Sequence, residues 1–226
     1  MPKSIEPRNV IQAVVFDMDG LIVDSEPYWK QAEKRVFSSL GCNVTMEDQL
    51  QTANLTTEAV TDYWYRKSPW RQMSKHQAEA AVIEEVDALL SAQCVSKPGF
   101  FEAMAVCREA GIKIGLASNA PLCLCRTVIR ALNCQDAFDC VLSSQMVAAG
   151  KPRPDIYLHA LASLKVDAVR ALALEDSPTG ARAAKSAGMK VVGVPSEAHY
   201  FEPMLALADV VLESLAEFDA RLLQKR

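Results

Sequence analysis

The chain has 226 residues, half of them hydrophobic and 23% charged, which is typical of a globular protein with a sizeable core. Its formal net charge of −4 offers no basic surface for nucleic acid, so we expect no nucleic-acid partner. No segment near the start combines basic residues with an apolar stretch, and no apolar run is long enough to span a bilayer. These features predict a cytoplasmic protein without a membrane partner.

The first predicted element is a strand over residues 11–16, and two acidic residues follow it. The apolar, β-branched composition of this run predicts a strand buried on both faces of a parallel sheet. Asp17 and Asp19 come directly after it, and Gly20 follows Asp19. Because open α/β sheets bind ligands at the carboxyl ends of their strands, this pair is a candidate for cation binding or proton transfer. A solvated acidic turn is the alternative that this stretch alone leaves open.

The stretch between residues 25 and 97 has helical patterns and no convincing strand. Helices are predicted from Ser25 to Leu40 and from near Thr56. A further helix is predicted from Ser74, because Ser74 and Gln77 have the spacing of a capping box. This stretch is therefore predicted to be a separate helical insert.

Strands and helices alternate from Pro98 onward, which predicts right-handed crossovers and a parallel sheet. The predicted strands are 112–117, around 140–142, 169–174 and 190–194, and the predicted helices are 99–110, one after Pro121, 154–164 and one from Pro178 to Gly188. The predicted organisation is an α/β core domain made of residues 1–24 and 98–226, interrupted by an all-helical domain made of residues 25–97.

Polar side chains also follow the other predicted strands. Ser118 ends the second strand, Lys151 lies in the loop after the third, and Glu175 and Asp176 end the fourth. Taken singly, Ser118 or the acid pair could cap a helix, and Lys151 could be a solvated loop residue. Because the carboxyl ends of parallel strands share one edge of the sheet, we expect these residues to converge with the first acid pair.

In this order and at these strand ends, the motifs Asp17-Met18-Asp19-Gly20, Ser118, Lys151 and Glu175-Asp176 resemble the four motifs of the haloacid-dehalogenase-like phosphohydrolases. The resemblance implies a Rossmann-like core with a parallel sheet, and the helical insert is similar to that family's small cap. The flanking sequence is most similar to the branch acting on phosphorylated sugars and hexitols, in particular its hexitol (2-deoxyglucose-6-phosphate) phosphatases. The dehalogenases of the family lack an acid at the position of Asp19, so we do not expect a dehalogenase.

The resemblance implies a role for each core motif. Asp17 is the expected nucleophile and forms an aspartyl-phosphate. Asp19 is the expected general acid and base. Ser118, together with backbone N–H groups near Asn119, is expected to bind phosphoryl oxygens at a helix N-terminus. Lys151 is expected to balance the charge of the acids and of the phosphoryl group.

The resemblance also implies a Mg²⁺ cofactor, which suits a reaction that concentrates negative charge. The family pattern places the carboxylate of Asp17, the backbone carbonyl of Asp19 and the carboxylate of Asp176 on the metal. Glu175 is either a further ligand or acts through water.

Substrate specificity is expected to lie in the helical cap. The family's first cap loop usually has a glycine followed by a polar or basic residue, and those places fall near Asn54, Leu55 and Thr56. The usual residues are therefore absent or shifted, and Asn54 and Thr56 stand as candidate substrate-binding residues. The predicted substrate is a small phosphorylated sugar or sugar alcohol, and a monomer is the default expected for the family.

Three other functions compete with a sugar phosphatase. A phosphosugar mutase of the same family would share all four motifs but need a cap that binds a second phosphate, and residues 50–57 contain no basic cluster. A signalling receiver domain also uses a phosphorylated aspartate, but its acid pair follows the first strand and its phosphoacceptor the third, an order that fits poorly. A catalytically inactive binding module would be expected to have lost Asp17 or Asp19.

Overall fold

The computed structural model describes residues 11–52 and 55–224. Within them the chain forms two compact units, one made of the described residues up to Asp24 and from Val95 onward, and the other of the described part of Ser25–Cys94. The first contains a parallel sheet and the second is helical. No helix in the described ranges is long and apolar enough to cross a membrane.

The sheet unit has six strands that pair in parallel in the order β3-β2-β1-β4-β5-β6. The strands are β1 (Ala13–Phe16), β2 (Lys113–Ser118), β3 (Cys140–Ser143), β4 (Ala171–Glu175), β5 (Lys190–Gly193) and β6 (Val210–Val211). Its α-helices are α5 (Phe100–Glu109), α6 (Leu122–Ala131), α7 (Asp155–Leu164), α8 (Pro178–Ser186) and α9 (Phe201–Leu207). The predicted α/β class with a parallel sheet is confirmed.

Strand β1 lies in the middle of the sheet and is covered on both faces. Ala13 and Val15 belong to a buried cluster with residues of α7 and α8. Side chains alternate along a strand, so Val14 and Phe16 point the other way. The ring of Phe16 meets that of Phe100 in α5 edge to face, with centroids 6.1 Å apart. This double coverage explains why the strand is a continuous apolar run, and each large side chain buried in it stabilises the fold by about 1.5–3 kcal/mol.

The helical unit contains α1 (Glu26–Ser39), α2 (Met46–Thr52), α3 (Thr57–Lys67) and α4 (Lys75–Gln93). Its aromatic core is centred on Phe37, whose ring lies 5.9 Å from those of Trp64 and Trp70. Ser74 and Gln77 form the predicted capping box at the start of α4. Ser25 precedes α1, but its side chain makes no capping hydrogen bond, contrary to the expectation.

Other differences from the predicted elements concern short pieces. Helices α2 and α9 and strand β6 were not predicted, and the strand expected from residue 169 begins at Ala171 after a 3₁₀ turn over Ala168–Arg170. Each of these elements is seven residues or fewer. A periodic pattern is hard to recognise over so short a stretch.

Candidate active site

The parallel register places the acids at one edge of the sheet. Phe16 of β1 is level with Leu116 of β2 and with Leu174 of β4. The next residue after Phe16 is Asp17, whose N–H donates to the carbonyl of Leu174 at 3.0 Å. Asp17 is therefore level with Glu175, the last residue of β4, and close to Ser118, the last residue of β2.

Lys151 joins two of these acids. Its ammonium Nζ donates to Asp17 Oδ1 at 2.5 Å and to Glu175 Oε1 at 2.6 Å, and only 4% of its side chain is exposed. Burial would lower the pKa of this lysine, but Asp17 and Glu175 outweigh it and hold the pKa well above its usual range. Lys151 therefore remains a cation between the two carboxylates.

Three carboxylates form a compact cluster at this edge. Asp17, Glu175 and Asp176 each offer an oxygen within 4.8 Å of the others, and their exposures are 6%, 0% and 7%. Burial raises the pKa of Glu175 to about 7, and Asp17 adds to the effect. Burial, together with Asp17 and Glu175, raises the pKa of Asp176 well above its usual range. The cluster holds more negative charge than Lys151 alone can balance.

The donor set of this cluster fits Mg²⁺. Carboxylate oxygens are the hard ligands that this cation prefers. Glu175 Oε2 is buried and has no hydrogen-bond partner among the described residues, so one more oxygen is available for a ligand or a water. Two glycines leave room for the carboxylates. A Cβ at Gly20, whose φ is 79°, would lie 2.1 Å from Asp176 Oδ2, and a Cβ at Gly180 would lie 1.9 Å from Glu175 Oε2.

Asp19, the second acid of the motif, is oriented by Ser118. The hydroxyl of Ser118 donates to Asp19 Oδ2 at 2.9 Å and accepts the N–H of Ala120 at the same distance. Ser118 is fully buried, whereas Asp19 is partly exposed. The second acid of the motif thus has a different hydrogen-bond partner and a more exposed environment than the first, as suits two carboxylates with different chemical roles.

The side chain of Asn119 binds the loop that carries Lys151. Its side-chain Nδ2 donates to the carbonyl of Lys151 at 3.1 Å, and its Oδ1 accepts the N–H of Lys151 at 2.8 Å. A Cβ at Gly150 would lie 2.5 Å from that Oδ1. The side chain of Asn119 therefore holds the main chain of the loop that contains Lys151, here called the lysine loop. The backbone N–H of Asn119 is the group that could contact a phosphoryl oxygen.

Two side chains at the site were not singled out in the sequence. The hydroxyl of Ser196 donates to Asp176 Oδ2 at 2.6 Å, and the hydroxyl of Tyr157 in α7 donates to Glu175 Oε1. Tyr157 occupies an apolar position of its helix, so a helical pattern assigns it to the core. Ser196 lies in a loop with no motif, and no sequence signal marks it.

The predicted cap residues lie in the helical unit or outside the described ranges. Asn54 is outside the described residues. Thr56 caps α3, its side-chain oxygen accepting the N–H of Ala59 at 3.3 Å. Trp64 is fully buried in the core of the helical unit.

Residues 14–194 match the family model described as haloacid dehalogenase-like hydrolase, and with the sheet order and the acid site this defines an α/β hydrolytic enzyme. The chain belongs to the haloacid dehalogenase-like hydrolase family.

Named relatives agree with this placement. Hexitol phosphatase B of Escherichia coli strain K12 is 38% identical over 216 residues, covering 95% of this chain and 97% of the relative. Beta-phosphoglucomutase of Bacillus subtilis strain 168 is 30% identical over 231 residues, covering 95% of each. The crystal structure of CbbY from Rhodobacter sphaeroides with phosphate superimposes with a TM-score of 0.80 at 30% identity, covering 92% of this chain and 96% of that one.

Proposed function

We propose that this enzyme is a Mg²⁺-dependent phosphatase that releases phosphate from small phosphorylated sugars or sugar alcohols through an aspartyl-phosphate. The observation that carries the proposal is the pairing of Asp17 with Lys151 inside a buried acid cluster, while Asp19 accepts a hydrogen bond from Ser118. A nucleophile and an acid–base group in different environments are what a two-step displacement at phosphorus requires.

In the first step, a carboxylate oxygen of Asp17 attacks phosphorus and the bond between phosphorus and the sugar oxygen breaks. Asp19 gives its proton to that leaving oxygen. In the second step, Asp19 takes a proton from water, the water oxygen bonds to phosphorus, and the bond to Asp17 breaks. Phosphate leaves and both acids return to their starting states.

The remaining residues bind and orient. Lys151 holds one oxygen of Asp17, so the other oxygen can face the phosphorus atom, and its charge opposes that of the transferring group. Ser118, with N–H groups near Asn119, is proposed to bind phosphoryl oxygens. When bound, Mg²⁺ would neutralise charge on the phosphoryl oxygens and the nucleophile. Asp17, Asp176 and the carbonyl of Asp19 would hold it, with Glu175 as a further ligand or acting through water.

The substrate class is inferred from the relatives. The name of the 38% identical relative is hexitol phosphatase B, which supports a hexitol, hexose or deoxyhexose phosphate as the substrate here. We propose that Ser25–Cys94 is the family's cap and that Asn54 and Thr56 take part in choosing the sugar. The second candidate is a phosphosugar mutase, which the 30% identical beta-phosphoglucomutase supports.

The test is phosphate release from a panel of hexose, deoxyhexose, hexitol and pentose phosphates, with Mg²⁺ and with a chelator. We expect Mg²⁺-dependent release that is lost in Asp17→Asn, with the highest kcat/KM on hexitol or deoxyhexose phosphates. Isomerisation of a sugar phosphate with little free phosphate would instead identify the mutase. No turnover of any phosphate ester would contradict both.

A further inference from the structure

Tyr157 is buried beneath the ion pair of the candidate site. It lies in α7 with none of its surface exposed. Its hydroxyl donates to Glu175 Oε1, the same oxygen that accepts the ammonium of Lys151 at 2.6 Å, and its ring centroid lies 5.1 Å from Lys151 Nζ. One residue therefore contacts both members of the pair, through its hydroxyl and through its aromatic face.

The hydroxyl is not needed to fill space. A phenylalanine ring would occupy the same volume in the α7 cluster, which is otherwise apolar. A buried hydroxyl is unfavourable unless it is hydrogen-bonded, and this one is bonded to a fully buried carboxylate. The contact therefore acts on the orientation of Glu175 more than on core packing.

We propose that Tyr157 is a positioning residue for the reaction. By fixing Glu175 Oε1, its hydroxyl keeps Lys151 shared between Glu175 and Asp17, and it leaves Glu175 Oε2 turned away from the ion pair. Without it, the carboxylate of Glu175 can rotate about its side-chain bonds and draw Lys151 away from Asp17. The inference rests on the proposed phosphatase function, since its effect is read through that reaction.

The helical unit provides a matched control. There, Tyr63 and Lys67 both donate to one oxygen of a buried carboxylate, Asp48 Oδ1. A tyrosine hydroxyl and a lysine ammonium again share one carboxylate oxygen, here of an aspartate, although Lys67 is 47% exposed against 4% for Lys151, and no candidate nucleophile is part of it. Tyr63→Phe therefore removes a chemically equivalent hydroxyl without touching the ion pair at Asp17.

The experiment compares Tyr157→Phe and Tyr63→Phe with the wild type, measuring kcat, KM and the rise in Tm on adding Mg²⁺. Each kcat is referred to the folded fraction given by circular dichroism at the assay temperature. For Tyr157→Phe we expect kcat to fall about tenfold and the Mg²⁺-induced rise in Tm to shrink, with KM changed by less than about twofold. Tyr63→Phe should lower Tm while leaving kcat and the response to Mg²⁺ as in the wild type.

A double-mutant cycle shows whether Tyr157 acts through Glu175. In a Glu175→Ala background, the further change Tyr157→Phe should alter kcat by less than about twofold, because the acceptor that it positions is gone. The inference is overturned if Tyr157→Phe keeps the wild-type kcat, or if its effect is equally large in the Glu175→Ala background. A wild type that releases no phosphate would overturn the proposed function and the inference with it.

Discussion

Asn119 and Lys151, 32 residues apart in sequence, are joined by two hydrogen bonds between the side-chain amide of the first and the main chain of the second. This clamp sets where the lysine loop begins, and so where the ammonium of Lys151 can reach. Because small displacements of a reacting group are costly, Asn119→Ala is expected to lower kcat by about 10–100-fold.

The measurement for Asn119→Ala is steady-state kinetics beside Asn43→Ala, a change at an exposed residue of the helical unit. The control should retain the wild-type kcat. Equal activity of Asn119→Ala and the wild type would show that the loop keeps its position without the clamp.

The loss of activity in Asp19→Asn is expected to depend on the acidity of the leaving group. For a sugar phosphate, whose leaving oxygen needs a proton, Asp19→Asn should lower kcat by about 10²–10⁴-fold. For an aryl phosphate with an acidic leaving group, the first step needs no proton donor, so the loss of the burst of released phenol in pre-steady-state kinetics should be much smaller. Asp17→Asn should abolish release of the leaving group, sugar or phenol, from both substrates. An equal loss of leaving-group release from the two substrates in Asp19→Asn would contradict the assigned role.

Metal affinity is expected to rise with pH. Without metal, the pKa of Glu175 is raised to about 7, so Glu175 retains its proton at pH 6, and the raised pKa of Asp176 favours its protonated form in the same direction. Mg²⁺ binds the ionised carboxylates, so binding must release these protons and is weaker at pH 6 than at pH 8. Calorimetry in buffers of different ionisation enthalpy measures both the affinity and the proton release.

Two results would bear on this metal prediction. Chelation should abolish phosphate release, and added Mg²⁺ should restore it. Asp176→Asn should weaken Mg²⁺ binding, whereas Asp139→Asn, a change elsewhere in the sheet unit, should not. An affinity that is the same at pH 6 and pH 8 would show that these carboxylates are already ionised in the metal-free enzyme.

Asp48 is expected to stabilise the helical unit in a pH-dependent way. Hydrogen bonds from Lys67, Thr45 and Tyr63 hold the pKa of this carboxyl well below its usual range. A carboxyl whose pKa is lower in the folded state stabilises the protein above its unfolded pKa of about 4, and that contribution is lost as the pH falls toward the folded pKa.

We therefore expect Asp48→Asn to lower Tm at pH 7 and to have a smaller effect at acidic pH. The control is Asp62→Asn, which removes an ion pair between Asp62 and Lys75. The side chain of Asp62 is 42% exposed and that of Lys75 is 50% exposed, whereas the side chain of Asp48 is only 6% exposed. Exposed pairs contribute little, so its effect on Tm at pH 7 should be smaller. Equal shifts for the two variants would mean that the buried network is no stronger than a surface pair.

The predicted helices and strands that are confirmed are those with long or well-bounded patterns. Helix α4 is 19 residues long and begins at a capping box that was visible in the sequence. Helix α2 was missed although Thr45 and Asp48 have capping spacing, with the N–H of Asp48 donating to Thr45 Oγ1 at 3.2 Å. It exposes Met46 and Leu50, so it has no clear apolar stripe, and Asp48 ties it to α3 through Tyr63 and Lys67.

The core motif residues were identified from the sequence because each follows a strand, and parallel strands bring their ends to one edge. That reasoning places Asp17, Ser118 and Glu175 together without specifying any hydrogen bond. The hydrogen bond between the side chain of Asn119 and the main chain of Lys151 joins residues that are 32 positions apart, and no local sequence pattern predicts it.

By itself the sequence determined the α/β class, the helical insert and the residue types at the strand ends, because these follow from local periodicity and from strand order. Only the tertiary structure decided that Lys151 bridges Asp17 and Glu175, and that Tyr157 donates to the same oxygen of Glu175. Those contacts join β1, β4, α7 and the loop after β3. Their formation depends on the packing of helices against the sheet, which fixes side-chain directions that a linear pattern leaves undetermined.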